Sequence, residues 1–161
     1  MQVKNLLSAE DAKILRNAIH SELYASNLYK HLANQMQRLG FFGAQKFFAS
    51  ESATELEHYQ KHVEFLNDMG AVASVPAIEA MTATIQGLPD AIKVAYDTEV
   101  QLGQDYARWH GEAKPMTAQH LLQFIEIQRE SIGEYADIIS RINIAGNDGC
   151  ALLIIDKELG E

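Results

Sequence analysis

The chain has 161 residues, 47% of them hydrophobic and 22% charged, which is enough apolar side chain for one domain with its own core and too much for disorder. Thirteen basic residues face twenty-two acidic ones for a formal charge of −9, so the cationic footprint of a nucleic-acid binder is missing and cations are the attracted species. The longest apolar run, Ala151 to Ile155, is far short of the ~18–20 residues of a membrane span, and the single cysteine, Cys150, excludes a disulfide framework or a Cys-rich metal site. The opening residues hold no sustained apolar stretch of the signal-peptide kind, so the expected compartment is the cytoplasm, a targeting segment removed beforehand aside.

In chain order, the pattern predicts an all-α protein. A first helix, residues 8–39, starts at Ser8 with Asp11 three residues on in the manner of a capping box, and stops at Gly40. A second covers 41–69 and ends at Gly70. Residues 70–89 hold Gly70, Pro76, Gly87 and Pro89 without a period and read as a connection. A third helix covers 90–114, closed by Pro115, a fourth 117–145, and a short fifth 151–159. The joints between helices one and two, and between three and four, are very short and force antiparallel pairs. The long connection could extend ~65 Å, enough to recross the bundle and set helices two and three parallel. The expected architecture is a four-helix bundle with one long crossover plus a short C-terminal helix.

Each long helix breaks its inward apolar stripe with a polar residue. In the first, Leu15, Ala18, Glu22, Ala25, Tyr29, Leu32 and Met36 repeat in sevens, and Glu22 stands where an apolar residue belongs. In the second, Glu51, Glu55, His58 and His62 interrupt a stripe from Ala44 to Met69. The third carries Glu99 and the fourth Gln128. All four helices place these residues near their middles, so Glu22, Glu55, Glu99 and Gln128 converge at one level. Carboxylates that close resist joint ionisation, and a pair of divalent cations removes the repulsion. Glu55-x-x-His58 places both side chains on one helix face, within reach of one ion, and Glu55 is central enough to bridge two. Oxygen ligands with a single imidazole favour Fe, Mn or Zn, and two carboxylate-bridged ions in a helical bundle are the di-iron arrangement.

These residues, with the Glu22 to Tyr29 spacing and the tail from Ala145-Gly146-Asn147-Asp148-Gly149 through Ile155 to Leu159, resemble a non-haem ferritin of the bacterial type over nearly the whole chain. The resemblance implies a ferritin-like bundle and an iron-storing ferroxidase. Such an enzyme oxidises Fe²⁺ with O₂ or peroxide at a dinuclear centre and keeps ferric mineral inside a homo-oligomeric, 24-subunit cage. It implies two irons per subunit, one held by Glu22, Glu55 and His58, the other by Glu55 and Glu99 with Gln128 beside it. Tyr29 would hydrogen-bond near the centre and supply an electron. The resemblance allows a weaker third iron at Glu130, with Glu134 a turn on, although Thr54, Ile127 and Ser131 stand where further residues of that site are expected. Leu56 stands where a haem-ligating Met follows the bridging Glu in bacterioferritins, so no haem is expected.

The remaining residues have plainer readings. Glu51 and His62 read as a subunit contact or solvated edge, His20, His31, His110 and His120 as surface, and Tyr106, Trp109 and Tyr135 as packing. The apolar fifth helix exceeds what one four-helix bundle can bury and predicts association with further copies. Two alternatives share the bundle. One is a non-storing di-metal oxidase or peroxidase; the other is a metal-free structural bundle, in which Glu22→Ala or Glu99→Ala would stabilise the apo fold and change nothing else.

Overall fold

The computed structural model describes residues 1–161 and contains five helices and no strand. They are α1 (Ala9–Leu39), α2 (Phe42–Asp68), α3 (Leu88–Glu112), α4 (Pro115–Ala145) and α5 (Gly149–Leu159). The hydroxyl of Ser8 accepts the Asp11 N–H and caps α1, as its sequence predicts. Gly40 closes the helix in the left-handed region at φ 89°, where its N–H reaches back to the carbonyls of Met36 and Gln37.

Four boundaries shift by two residues from the sequence expectation: the starts of α3, α4 and α5 and the end of α3. Proline is the cause of two. α3 starts at Leu88 rather than 90 and holds Pro89 in its first turn. Pro115 does not merely close α3, which ends at Glu112; it opens α4, two residues before the expected start. A first-turn proline lacks only an N–H that no helical carbonyl would have taken, and its fixed φ suits the helix. α5 starts at Gly149 because Asp148 accepts the N–H groups of Cys150 and Ala151 and draws them into the first turn.

The long connection crosses the bundle as its length requires. It leaves α2 beside the chain start, where the Leu6 N–H donates to the Met69 carbonyl at 2.8 Å. It passes His31, whose Nε2 lies 2.8 Å from the Ala83 carbonyl, and delivers Ile85 and Leu88 to the cluster at the far end of α1 and the start of α2. α2 and α3 therefore run parallel. The joint between α3 and α4 returns to the start of α1, where buried Asp11 accepts from the Lys114 N–H and the Thr117 hydroxyl.

The core is two greasy ends with a polar layer between them. One end gathers Leu28, Leu32, Met36, Phe48, Ile92, Tyr135 and Ile138. The other holds Ala18, Leu102, Tyr106, Leu121 and Phe124, with Leu15, Ile19 and Leu66 beside them. Within the layer, buried Ser26 and Ser52 exchange bonds: each hydroxyl donates to the other's backbone carbonyl, at 2.7 and 2.8 Å. Ser26 is one turn from Glu22 and Ser52 one turn from Glu55, so this seam fixes the offset of α1 against α2.

α5 docks across the start of α2. Asp156, buried, accepts the N–H groups of Gly43 and Ala44 at 3.1 and 2.7 Å and so caps a helix that has no cap of its own. The approach requires a glycine at 43, because a Cβ there would stand 1.6 Å from the Asp156 carbonyl oxygen. Ile155 is buried and Leu152 and Leu159 pack on the core, so α5 is less naked than its composition suggests. Leu153 and Ile154 still stand 54% and 59% exposed, with Ile144 near them at 88%.

Candidate metal centre

Four helices feed the polar layer, each through the residue that breaks its apolar stripe. Glu22, Glu55, Glu99 and Gln128 are all buried, and the tight group among them is Glu22, Glu55 and His58, whose ligand atoms lie within 4.8 Å of one another. His58 Nδ1 is 2.9 Å from Glu55 Oε2 and 3.7 Å from Glu22 Oε2. The i,i+3 spacing on α2 places the first pair, and the α1–α2 offset brings Glu22 across. The three donors therefore converge on one point of the layer.

Glu99 stands apart from that triangle. Tyr29 donates its hydroxyl to Glu99 Oε1, and the Gln128 amide, with its nitrogen turned toward Glu99, donates to Oε2 at 2.7 Å and to the backbone carbonyl at 3.2 Å. Burial raises the pKa of Glu99 first, and the charge of Glu55 adds to that. The structure thus brings Glu22, Glu55, His58, Glu99, Gln128 and Tyr29 to one level, in two subsets that meet at Glu55. Glu130 is not among them: it points to solvent near Arg129, 3.6 Å away, because its place on α4 faces outward. Glu134 is likewise exposed. Glu51 is half-buried and accepts the Tyr135 hydroxyl at 3.2 Å.

Three residues have more to do than their pattern suggests. His62, expected at an edge or contact, is fully buried, with Nε2 2.6 Å from the Tyr106 hydroxyl. Tyr106, expected to be packing, donates that hydroxyl to Glu22 Oε1. His120, expected on the surface, is half-buried; it stacks on Phe65 at 4.0 Å and reaches His62 Nδ1 at 3.0 Å through Nε2. In the sequence, His62 follows His58 by one turn and Tyr106 follows Glu99 by two, which is the only hint that they share the site's face.

Burial pushes the Glu55 and Glu99 carboxyls well above the ordinary carboxylate range, and the mutual charges of the cluster add to it. Burial, then Glu134 and Glu55, takes Glu51 from 4.5 to about 7. Burial opposes a charge on His58, but the carboxylates of Glu22 and Glu55 facing its ring overcome it and raise the imidazole from 6.5 to about 10. Burial, then the charge of His58 and Lys61, lowers His62 to about 3. The metal-free layer thus holds protons where a cation would relieve it. One atom marks the place: Glu22 Oε2 is buried and has no hydrogen-bond partner. An orphaned carboxylate oxygen in the interior is costly unless something positive completes it, and oxygen donors with one imidazole suit a divalent first-row metal.

A groove of about 780 Å³ lies outside the layer, between α1 and α3, lined by Ser21 and Thr98, which flank Glu22 and Glu99 in the chain, and by Glu79, Asp97 and Asp105. No helix is long and apolar enough to cross a membrane.

Residues 12–145 match the family model described as a ferritin-like domain. A probable bacterial non-heme ferritin-like protein from Haemophilus influenzae is 32% identical over 159 residues, 96% of each chain. A ferritin from Pacifastacus leniusculus is 33% identical over 158 residues, 93% of this chain and 87% of its own. Among solved structures, an open pore ferritin from Archaeoglobus fulgidus superposes with a TM-score of 0.93 over 98% of each chain at 24% identity, a likeness of fold. The family match, the curated relatives and the bundle agree: the chain belongs to the iron-storing non-haem ferritins.

Proposed function

We propose that this chain stores iron by oxidising Fe²⁺ at the polar layer and keeping the ferric product inside an assembly of its own copies. Iron is the substrate. Glu22, Glu55 and His58 take one Fe²⁺; Glu55, Glu99 and, beside them, Gln128 take a second, with Glu55 shared. Loading two dications releases the protons that the buried carboxyls hold and cancels their repulsion. Two Fe²⁺ with O₂ and two protons give two Fe³⁺ and H₂O₂; peroxide can serve as oxidant in the same way. The product ions leave for the mineral because Fe³⁺ is readily hydrolysed and the site has few donors per ion. Tyr29, bonded to Glu99, is placed to give an electron when the oxidant needs one more. The unpartnered Glu22 Oε2 inside a triangle of ligand-type atoms supports this reading most directly.

The exposed Leu153, Ile154 and Ile144 support association around the tail, where copies would bury them against each other. A closed 24-subunit cage suits both the family and the need to enclose a mineral. The test is an anaerobic Fe²⁺ titration followed by exposure to oxygen. Two tight ions per chain, oxygen-dependent oxidation and a ferric core are expected. Glu55→Gln loses both tight ions. Oxidation without a retained core would favour a non-storing oxidase, and an unaltered Glu55→Gln variant would remove the site assignment.

A further inference from the structure

Beyond the ligands, an ordered line of hydrogen bonds runs from Glu22 away from the centre, through Tyr106 and His62 to His120. A phenol has one hydrogen, and Tyr106 gives it to Glu22 Oε1. The 2.6 Å contact between Tyr106 and His62 is then made by the hydrogen on His62 Nε2. His62 is fully buried and its second nitrogen faces only another imidazole, so a single N–H on the ring satisfies both contacts. Its Nδ1 is bare and accepts from His120 Nε2 at 3.0 Å. His120 in turn is held by its stack on Phe65 and by its ring edge against Phe124. Three elements thus converge on one carboxylate oxygen: α3 gives Tyr106, α2 His62 and α4 His120. Every donor in the line points toward Glu22, and aligned bonds of this kind reinforce each other.

The line acts on one of the two Glu22 oxygens only. Oε1 is occupied and Oε2 is left bare, 3.7 Å from His58 Nδ1. A glutamate on a helix has three side-chain torsions to order before it can act as a ligand, and here that ordering is complete before any ion arrives. His62 Nε2 itself stands 3.8 Å from Glu22 Oε1, too far for a hydrogen bond, so His62 reaches the carboxylate only through the phenol.

We infer that Tyr106, His62 and His120 are positioning residues that clamp Glu22 Oε1 and thereby aim Glu22 Oε2 at the metal shared with Glu55 and His58.

The inference rests on the metal reading above, and the test separates the two. Apo protein is titrated with Co²⁺, whose visible bands report ligand number and geometry. Tyr106→Phe, which keeps the ring and loses the hydroxyl, is expected to bind the first Co²⁺ about tenfold more weakly, with altered bands, as for lost support of a metal ligand. His62→Ala is expected to weaken binding about as much. Because His62 works through Tyr106, adding His62→Ala to Tyr106→Phe should change affinity by less than about twofold more, since residues in one line are not additive. His62→Gln keeps an amide N–H for the tyrosine oxygen and should recover most of the affinity and the wild-type bands. A purely structural role predicts no such rescue. Wild-type affinity and bands in Tyr106→Phe, or losses that multiply in the double variant, overturn the inference and leave the metal site standing. Absence of Co²⁺ binding by the wild type overturns both. If Tyr106→Phe fails to assemble, the contrast between His62→Gln and His62→Ala decides alone: equal affinity rejects the clamp.

Discussion

At the scale of single side chains, the centre is a set of carboxyls kept from ionising by burial first and by their own company second. Glu51, Glu55 and Glu99 all have raised folded pKa values, and His58 is raised as well. A folded state that keeps protons the unfolded chain has shed loses stability as pH rises. His62 and His120, lowered to about 3 and about 4, act in the opposite sense, and their contribution fades as pH rises past the ordinary 6.5 of an unfolded histidine. Between about pH 7 and 8 the raised groups dominate, so thermal melts of the metal-free protein should show Tm falling with pH. Glu99→Gln should flatten that slope, and Zn²⁺ or Co²⁺ should reverse it, because metal binding strengthens as protons leave. An apo Tm that rises over this interval would contradict the pKa directions. Glu22, Glu55 and His58 are legible in the sequence because a charged residue inside a heptad of apolar ones is conspicuous. Tyr106, His62 and His120 are not. A tyrosine or histidine at an inward position fits ordinary packing equally well, and where its polar atom points is decided by neighbours on other helices.

At the scale of helices, the same contrast holds between what local chemistry sets and what docking sets. The Ser8 cap, the Gly40 stop and the length of the connection from α2 to α3 are written in adjacent residues and can be read there. The cap on α2 is not local: it comes from Asp156, more than a hundred residues away, and no spacing rule links them. Asp156→Ala should therefore do two things. It should cost about 0.5–2 kcal/mol in denaturant melts, the range for a lost N-terminal cap, and it should loosen α5, visible as faster amide exchange over 149–159 than over α3. Gly43→Ala should loosen α5 more, because the added methyl collides with backbone rather than with a flexible side chain. Unchanged exchange in both variants would mean that α5 is held by its apolar contacts alone. The proline boundaries of α3 and α4 escape a sequence reading for a different reason: proline both ends and begins helices, and only the joint's path shows which.

At the scale of the molecule, the bundle leaves apolar side chains of α5 and the end of α4 in water, and the assembly proposed above is the way to cover them. Replacing Leu153 and Ile154 together by lysine should lower the mass measured by light scattering. Helicity and Fe²⁺ oxidation should persist, because neither residue reaches the polar layer. Loss of oxidation in a smaller but folded particle would show that the centre depends on neighbouring copies. The serine seam bears on how such a molecule is handled. Two hydroxyls that lock to each other's carbonyls carry no ionisable proton and no affinity for iron. A slip of α1 along α2 by one turn, ~5.4 Å, would break both bonds at once. The vertical alignment of the two rods is thereby insulated from acidity and from loading, so a chain stripped of iron and filled again meets its cargo with the donors at an unchanged pitch.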